Sequence, residues 1–255
     1  MAMKKIDRSS AADVAAGILR REILSRPQDS YLGSEDALLQ QLGISRPTFR
    51  QAARLLLHEQ LVTIRKGAGG GFYTRWPSIA AVAHDASIWL QVQNASIHNM
   101  VEAALPVGRE IVLLAARCTD TALLTELKSW VATQRDRETA GRSLEAFLRT
   151  EVDIVDHLGS MSGNPALQLF LAILYEFGIT QSVVPVFRGR RERTAEWREV
   201  RVLLAEAILA QDGERAVRLW KRSWEMMSKW LRRDLGSTGM SRAMKGRGPG
   251  RPRSA

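Results

Sequence analysis

The stretch SRPTFRQAARLLLHEQLV, residues 45–62, decides the fold of the first part of the chain. It predicts a helix that begins at Ser45, a favoured N-cap residue, with Pro47 in the first turn, where its missing N–H costs little. Gly43, in the preceding segment LLQQLGI, predicts a turn after an earlier helix. The stretch is therefore typical of the second helix of a helix-turn-helix.

The predicted helix has two chemically different faces. Its apolar positions are Phe49, Ala52, Ala53, Leu55, Leu56 and Leu57. Its polar positions, with side chains suited to base edges or phosphates, are Arg46, Thr48, Arg50, Gln51 and Arg54. Two interpretations fit this pattern: a recognition helix for the major groove of DNA, or an ordinary amphipathic helix with a solvated basic face.

The segment that follows favours the DNA-binding interpretation. Residues 61–65 and 72–74 predict two short strands, and the glycine-rich segment 67–71 predicts the tight loop of a β-hairpin wing. Glycines let such a loop approach a phosphate or a minor groove closely. The wing residues expected at DNA are Arg65, Lys66, Gly69 and Gly70. A nucleotide-binding loop is the alternative, but the segment lacks the strand-loop-helix order and the lysine placement of such loops.

Residues 10–75 resemble the winged helix-turn-helix of GntR-type bacterial transcription regulators. The matching pieces, in order, are LGSE (32–35), QLGISR (41–46), Arg50, the exit Leu56 to Leu61-Val62, and the glycine-rich wing. The resemblance implies that Arg46, Thr48, Arg50 and the wing glycines touch DNA. The full set of predicted DNA-binding residues is Ser34, Ser45, Arg46, Thr48, Arg50, Gln51, Arg54, Arg65, Lys66, Gly69 and Gly70.

Two positions depart from that family pattern. Asp36 stands where the family often has Arg, and Pro47 stands where a small Ser or Thr is common. The first departure predicts the loss of one phosphate or base contact, and the second predicts the loss of one hydroxyl contact.

The composition limits the class of protein. Hydrophobic residues make up 45% and charged residues 25% of the chain, which is typical of a soluble globular protein. No apolar run approaches the roughly 18 residues that span a membrane, and the N-terminal MAMKKIDRSS lacks the apolar core of a signal peptide. The single cysteine, Cys118, excludes an intramolecular disulfide and a multi-cysteine zinc site. A cytoplasmic location is the default expectation.

The net charge of +10 is concentrated in two segments of the chain. Residues 1–77 contain 12 Lys or Arg and 7 Asp or Glu, and residues 241–255 contain 5 basic and no acidic residues. Residues 78–240 are neutral, with 20 of each kind. This distribution is expected of a polyanion-binding module attached to a neutral domain.

The periodicity of apolar residues divides the rest of the chain. Residues 78–95 predict a linker helix, and residues 96–235 carry only helical patterns, enough for a bundle with its own core. Residues 236–255 predict a basic disordered tail, in which GRPR (250–253) is similar to the centre of an AT-hook. The predicted fold class is mainly α: a winged helix-turn-helix with a small β-hairpin wing in residues 1–77, then an all-α helical bundle.

The bundle resembles the effector domain of the FadR-like branch of the same family. The matching pieces are DIVDH (153–157), SGNPAL (162–167) and AEAILAQD (205–212). The resemblance implies that in many members the Asp and His of the first piece join two further histidines around a divalent metal. In this chain Arg201 and Ser223 stand at those two positions, and Arg cannot ligate a metal. We therefore predict no metal and no cofactor.

An effector site is predicted instead, formed by Asp153, His157, Arg201 and Ser223. Arg201 would pair with Asp153 or bind the carboxylate of an organic acid bidentately. The alternative is that Arg201 lies at the surface. Trp197, Trp220, Trp224 and Trp230 favour core or dimer packing, with an aromatic ligand wall as the alternative.

These patterns predict a ligand-responsive DNA-binding transcription regulator, which binds a palindromic operator as a homodimer. Its expected partners are double-stranded DNA and a small-molecule effector, with no membrane, and the family represses more often than it activates. One alternative is a sequence-tolerant architectural DNA-binding protein with a vestigial pocket. A metal-dependent enzyme that uses Asp153 and His157 is a remote alternative, because the sequence offers no nucleophile motif, no second carboxylate at suitable spacing and no cofactor loop.

Overall fold

The structure, a computed structural model, describes residues 10–136, 143–180 and 184–244, apart from the side chains of residues 184–185 and 235–244. The chain divides into two compact units, Met1–Ser78 and Ile79–Ala255. The predicted fold class is confirmed: a helix-turn-helix with a small antiparallel sheet precedes a run of helices.

The first unit combines helices with a small sheet. Its described elements are α1 (Ala11–Leu24), β1 (Tyr31–Gly33), α2 (Glu35–Leu42), α3 (Arg46–His58), β2 (Val62–Arg65) and β3 (Gly71–Thr74). Its core contains apolar side chains from the three helices and from the sheet, among them Ile23, Leu38, Phe49, Leu56 and Phe72. Removing these side chains from water is the main driving force that holds the unit together.

Serine side chains begin each helix of this unit. The Ser10 hydroxyl accepts a hydrogen bond from the backbone N–H of Asp13, and the Asp13 carboxylate accepts one from the backbone N–H of Ser10, which completes a capping box. Ser34 caps α2 and Ser45 caps α3. Gly43 ends α2 with a φ of 62°, in the left-handed region. Local sequence signals therefore set the turn between α2 and α3.

The sheet contains a strand that the sequence analysis does not predict. Its order is β1-β3-β2, and both pairs of neighbours are antiparallel. The strand β1 has three residues, too few to display the alternation that marks a strand. Tyr31 of β1 pairs with Tyr73 of β3, and their ring centroids lie 5.2 Å apart. This pairing connects the wing hairpin to the segment that leads into α2.

The buried face of α3 is narrower than predicted. Its buried residues are Phe49, Ala52, Ala53 and Leu56. Leu55 and Leu57 are each 39% exposed. Because each residue turns a helix by about 100°, these two leucines lie on either side of Leu56 and point away from the core.

The second unit is helical throughout its described part. Its helices are α4 (Ile79–Val92), α5 (Ile97–Ala115), α6 (Thr121–Arg135), α7 (Leu144–Met161), α8 (Pro165–Gly178), α9 (Val184–Phe187), α10 (Arg191–Leu209) and α11 (Gly213–Met244). Helix α5 packs against α8 and α11, α10 packs against α6 and α11, and α7 packs against α8, around one apolar core. None of the described helices is long and apolar enough to cross a membrane.

Two elements differ from their predicted roles. The predicted linker helix, α4, packs along α8 and belongs to the second unit. The predicted disordered tail begins at residue 236, but α11 continues to Met244. Extending an existing helix costs less than starting one, and no proline lies between residues 236 and 244 to stop it. The AT-hook-like segment 250–253 lies outside the described residues.

The close packing of α5 against α11 depends on Gly108. A Cβ atom at this position would lie 2.0 Å from Trp220 Cζ2, so any larger residue would displace the indole. The Trp220 indole N–H donates a hydrogen bond to the carbonyl of Ala104 at 3.2 Å. The Trp220 ring therefore packs directly against the α5 backbone between Ala104 and Gly108.

Candidate nucleic-acid interface and effector site

The exposed face of α3 carries the predicted base-reading residues. Those that are exposed are Arg46, Arg50, Gln51 and Arg54, and Thr48 is half-buried. They lie on the side of the helix opposite the buried Phe49 and Leu56. Guanidinium and amide groups on one exposed helical face can hydrogen-bond to base edges and phosphates in a major groove.

Two acidic residues at the start of α2 contact the arginines of α3. The Arg46 guanidinium donates to Asp36 Oδ1 at 2.6 Å and to Glu35 Oε1 at 3.4 Å. Arg50 Nε donates to the same Glu35 oxygen at 3.3 Å. These ion pairs are solvent-exposed and therefore individually weak. Asp36 thus engages the guanidinium that is predicted to bind a phosphate or a base.

The predicted contacts Ser34, Ser45 and Thr48 also have structural roles. The Ser34 hydroxyl accepts a hydrogen bond from the backbone N–H of Ala37 at 3.2 Å. The Ser45 hydroxyl lies 2.8 Å from the Thr48 hydroxyl and accepts the backbone N–H of Thr48 at 3.4 Å. These bonds fix the first turns of α2 and α3, and the hydroxyl groups retain capacity for a phosphate oxygen.

The two basic residues of the wing have different surroundings. Arg65 donates to Asp29 Oδ1 at 2.6 Å, and its guanidinium carbon lies 4.0 Å from the centroid of the Tyr73 ring. Lys66 is exposed, and within the described ranges no ion pair engages it. Of the two basic residues, Lys66 is therefore the one whose charge is free to interact with another molecule.

The two predicted wing glycines differ in what they contribute. Gly69 has a φ of 76° and open space where a Cβ atom would lie. At Gly70 a Cβ atom would lie 2.7 Å from the carbonyl oxygen of Gly67, so glycine is required by the turn itself. The tip at Gly69 is thus the part of the loop that another molecule can approach closely.

In the second unit, Arg201 is fully buried and donates hydrogen bonds to three side chains. Its Nε donates to Glu151 Oε2 at 3.2 Å, its Nη1 to the Ser223 hydroxyl at 3.3 Å, and its Nη2 to the Tyr175 hydroxyl at 2.5 Å. The Ser223 hydroxyl in turn donates to the backbone carbonyl of Trp220 at 2.7 Å. This arrangement is called the Arg201 network below, and it excludes the alternative that Arg201 lies at the surface.

Aromatic rings cover the faces of the Arg201 guanidinium. Its central carbon lies 4.5 Å from the ring centroid of Trp197 and 4.9 Å from that of Trp220. Such contacts stabilise a desolvated cation. Burial raises the pKa of the Tyr175 hydroxyl, so Tyr175 remains a neutral partner of the network at physiological pH.

The structure does not form the predicted pair between Asp153 and Arg201. Asp153 is exposed, whereas Glu151, two residues earlier on α7, is buried against Arg201. Two residues turn a helix by about 200°, so Glu151 and Asp153 project in nearly opposite directions. A glutamate among the buried residues Phe147, Ile154, Val155 and Leu158 is a sequence signal that could have identified Glu151.

Asp153 and His157 lie together in a different place. Both line a surface groove between α6 and α7, where His157 Nδ1 is 3.6 Å from a carboxylate oxygen of Glu126. Asp156 lines the same groove, and partial burial raises its pKa. Of the four predicted effector-site residues, the structure therefore brings together Arg201 and Ser223 but places Asp153 and His157 apart from them.

The residues around Arg201 do not fit a metal ion. A permanently protonated guanidinium lies between Glu151 and Ser223, and it has no lone pair to offer. Within the described part of the chain, no group of three or more His, Cys, Asp or Glu side chains is arranged to hold a metal.

A small apolar cavity, called the inner cavity below, adjoins the Arg201 network. Its volume is about 30 Å³, and its walls include Glu151, Tyr175, Trp197 and Trp224. A space of that size holds about two water molecules. The indole N–H groups of Trp197 and Trp224 are buried and find no hydrogen-bond partner among the described residues. The cavity is therefore bordered by two residues with unused donors, which sequence reasoning did not reveal.

The comparisons with known proteins agree with this architecture. Residues 99–225 match the model of the FCD domain. A GntR protein of Streptococcus agalactiae has a similar structure, with a TM-score of 0.65, 19% identity, and coverage of 86% of this chain and 99% of that chain. McbR/YncC of E. coli gives a TM-score of 0.43 and 17% identity, over 89% of this chain and 99% of that chain. No curated protein matches the chain.

The FCD match spans the described helices from α5 into α11, including Glu151, Arg201 and Ser223. The structural similarity to the streptococcal protein covers most of the chain, and it supports the assignment of both folds in this order. With its winged helix-turn-helix unit followed by an FCD domain, the chain belongs to the GntR family of transcription regulators.

Proposed function

We propose that the protein is a cytoplasmic regulator that binds a palindromic operator as a homodimer and represses transcription until a small-molecule effector releases it. The observation that carries the proposal is the exposed face of α3, where Arg46, Arg50, Gln51 and Arg54 stand together opposite the buried face. The proposed direct base contacts come from this face, and the proposed phosphate contacts come from Ser34, Ser45, Thr48 and the wing.

A homodimer follows from the geometry of reading DNA. One winged helix covers a half-site, and two such units about one helical turn apart cover a palindrome. A symmetric dimer presents the same surface twice, so the operator would share its two-fold symmetry. Effector binding and DNA binding must then weaken or strengthen each other reciprocally.

The second unit is the proposed effector-binding part. The inner cavity is too small for a metabolite, but it lies against a buried charged network and two unused indole donors. Arg201 and Ser223 would shape the effector site by holding Glu151 and Tyr175 in place. The effector would therefore bind by enlarging this cavity or by occupying a site that connects to it.

The test is selection of DNA from a random pool by the full-length protein, followed by sequencing of the bound fraction. The expected result is a short palindromic motif whose affinity changes when cell-extract metabolites are added. Arg50→Ala should relax specificity at one position of the motif, at a cost of about 1–3 kcal/mol there.

The opposite result would support an architectural role. If no motif emerges, and affinity only falls with salt while metabolites have no effect, the binding rests on phosphates alone. Arg149→Ala in α7 is a matched control, because Arg149 is an exposed arginine of the second unit that pairs only with Glu145 among the described residues. It should leave DNA binding unchanged.

A further inference from the structure

Arg201 cannot serve as a free anion receptor without losing its own partners. Its guanidinium is already bonded to Glu151, Tyr175 and Ser223 and covered by two indole rings. An incoming carboxylate would have to displace Glu151 and leave that carboxylate buried without a partner, which is costly. An anionic effector would therefore bind more readily to cations that are not yet paired.

Such cations line a larger cleft in the second unit, called the arginine cleft below. Its volume is about 420 Å³, within the range of small-molecule sites. Its lining includes Phe147, Phe187, Arg190, Arg191 and Arg198. The three charged residues in this lining are all arginines. The cleft is thus positively charged, with apolar side chains on one side.

Two of the three arginines are available to a ligand. Arg190 is paired with Asp234. Arg191 is exposed and Arg198 is half-buried, and neither forms an ion pair with any residue that the structure describes. Burial lowers the pKa of Arg198, and the negative charge of Glu151 opposes that shift, which indicates that Arg198 lies near Glu151. Arg198 lines the arginine cleft, and Glu151, whose charge acts on it, lines the inner cavity.

The walls of the two spaces are shared. Phe147 and Phe187 line both the arginine cleft and the inner cavity, and their ring centroids are 4.7 Å apart. These two are the residues that the two linings have in common. A ligand that extends from one space to the other would therefore pass these two rings.

Two tryptophans with unused hydrogen-bond donors are among the residues that line the inner cavity. Trp197 and Trp224 line the inner cavity, are at most 3% exposed, and have indole N–H groups without partners among the described residues. A buried donor without a partner carries a desolvation cost. An oxygen atom of a ligand at this depth would remove that cost.

We propose that the arginine cleft and the inner cavity together form the binding site of an organic monocarboxylate with an apolar chain and a terminal oxygen. The carboxylate binds Arg191 and Arg198, the chain passes between Phe147 and Phe187, and the terminal oxygen accepts a hydrogen bond from Trp197 or Trp224. This inference rests on the proposed function, in which the second unit binds the effector.

The test is isothermal titration calorimetry of the full-length protein with four probes: 6-hydroxyhexanoate, hexanoate, the uncharged hexanamide, and sulfate. Hexanoate should bind at least about tenfold more tightly than hexanamide, because a charge-assisted hydrogen bond is lost in the amide. 6-Hydroxyhexanoate should bind more tightly than hexanoate, and Trp197→Phe should remove that advantage while keeping the ring. Sulfate should bind weakly, because it lacks the chain.

Arg198→Gln and Arg191→Gln should each weaken hexanoate binding about tenfold. Arg218→Gln is the matched control, because Arg218 is exposed on α11 and pairs with Glu214 rather than lining the cleft. Equal affinity for hexanoate and hexanamide, equal losses in all three variants, or no saturable hexanoate binding would overturn the inference. A DNA motif obtained together with any of these results would leave the regulator function standing and refute only this site.

Discussion

The guanidinium of Arg201 donates to the carboxylate of Glu151 across 3.2 Å, 50 positions apart in the chain, where neither side chain is more than 9% exposed. This pair places one positive and one negative charge in the core. Its energetics differ from those of a surface pair, because both groups lose their hydration on folding.

Removing one member of this pair should be far more costly than removing both. Arg201→Met leaves the Glu151 carboxylate buried alone and should lower the free energy of unfolding by about 3–5 kcal/mol. The double variant with Glu151→Leu should recover most of that loss, since an apolar pair of similar volume avoids the desolvation cost. Urea unfolding of the full-length chain measures both values. Additive losses in the double variant would show that the two charges do not interact.

Metal chelation should leave the stability of the second unit unchanged. Arg201 offers no lone pair, so the protein should show the same thermal midpoint with EDTA, without it, and with added zinc. Differential scanning calorimetry checks this expectation. A midpoint that rises with stoichiometric zinc, and falls again with EDTA, would contradict the assignment of the Arg201 network as a metal-free structure.

Asp36 should weaken DNA binding by engaging Arg46. Asp36→Asn removes the carboxylate bonded to Arg46 at 2.6 Å and leaves the helix start capped by Ser34. The affinity for DNA should rise, and the slope of its logarithm against the logarithm of salt concentration should steepen by up to about 1. Fluorescence anisotropy over a salt series measures both quantities.

Glu145→Gln is the control for this substitution, because it removes one exposed acidic charge from the second unit. A rise in affinity that the control reproduces would mean that net charge, and not the release of Arg46, is responsible. An unchanged salt slope in Asp36→Asn would indicate that Arg46 does not reach a phosphate.

Two glycine substitutions should have opposite effects on stability. Gly108→Ala would place a Cβ atom 2.0 Å from the Trp220 ring and should cost about 1–3 kcal/mol, as overpacking does. Gly17→Ala lies in α1 with nothing within 4 Å and should stabilise its unit by up to about 1 kcal/mol through helix propensity. Thermal unfolding followed by circular dichroism measures the two shifts. A stable Gly108→Ala variant would mean that α11 can move away from α5 easily.

The stability contributed by Asp234 should depend on pH. Hydrogen bonds from Arg193 and Arg190 hold the pKa of Asp234 well below its usual range. Because the folded pKa is the lower one, this contribution is present above the unfolded pKa of about 4 and is lost as the pH falls toward the folded value. Asp234→Asn should therefore reduce the free energy of unfolding more at pH 7 than near pH 2. An equal effect at both pH values would assign the loss to packing.

The helices and the exposed basic face of α3 could be predicted because their signals are local. Serine caps at Ser34 and Ser45, the turn at Gly43 and the apolar period of α3 all act within one or two helical turns. The strand β1 was missed because three residues carry no period, and its pairing partner lies in the wing. The short helix α9 lacks a period for the same reason.

The candidate effector site was harder to predict because it depends on which helix faces pack against each other. The amino-acid sequence by itself determined the order of elements, the exposed arginines of α3 and the presence of Arg201 and Ser223 where other residues would be needed for a metal. Only the tertiary structure decided that Glu151, and not Asp153, meets Arg201, and that Phe147 and Phe187 line both the inner cavity and the arginine cleft. The period of a helix tells which residues share a face, but the neighbour that this face meets is set by packing between segments distant in sequence.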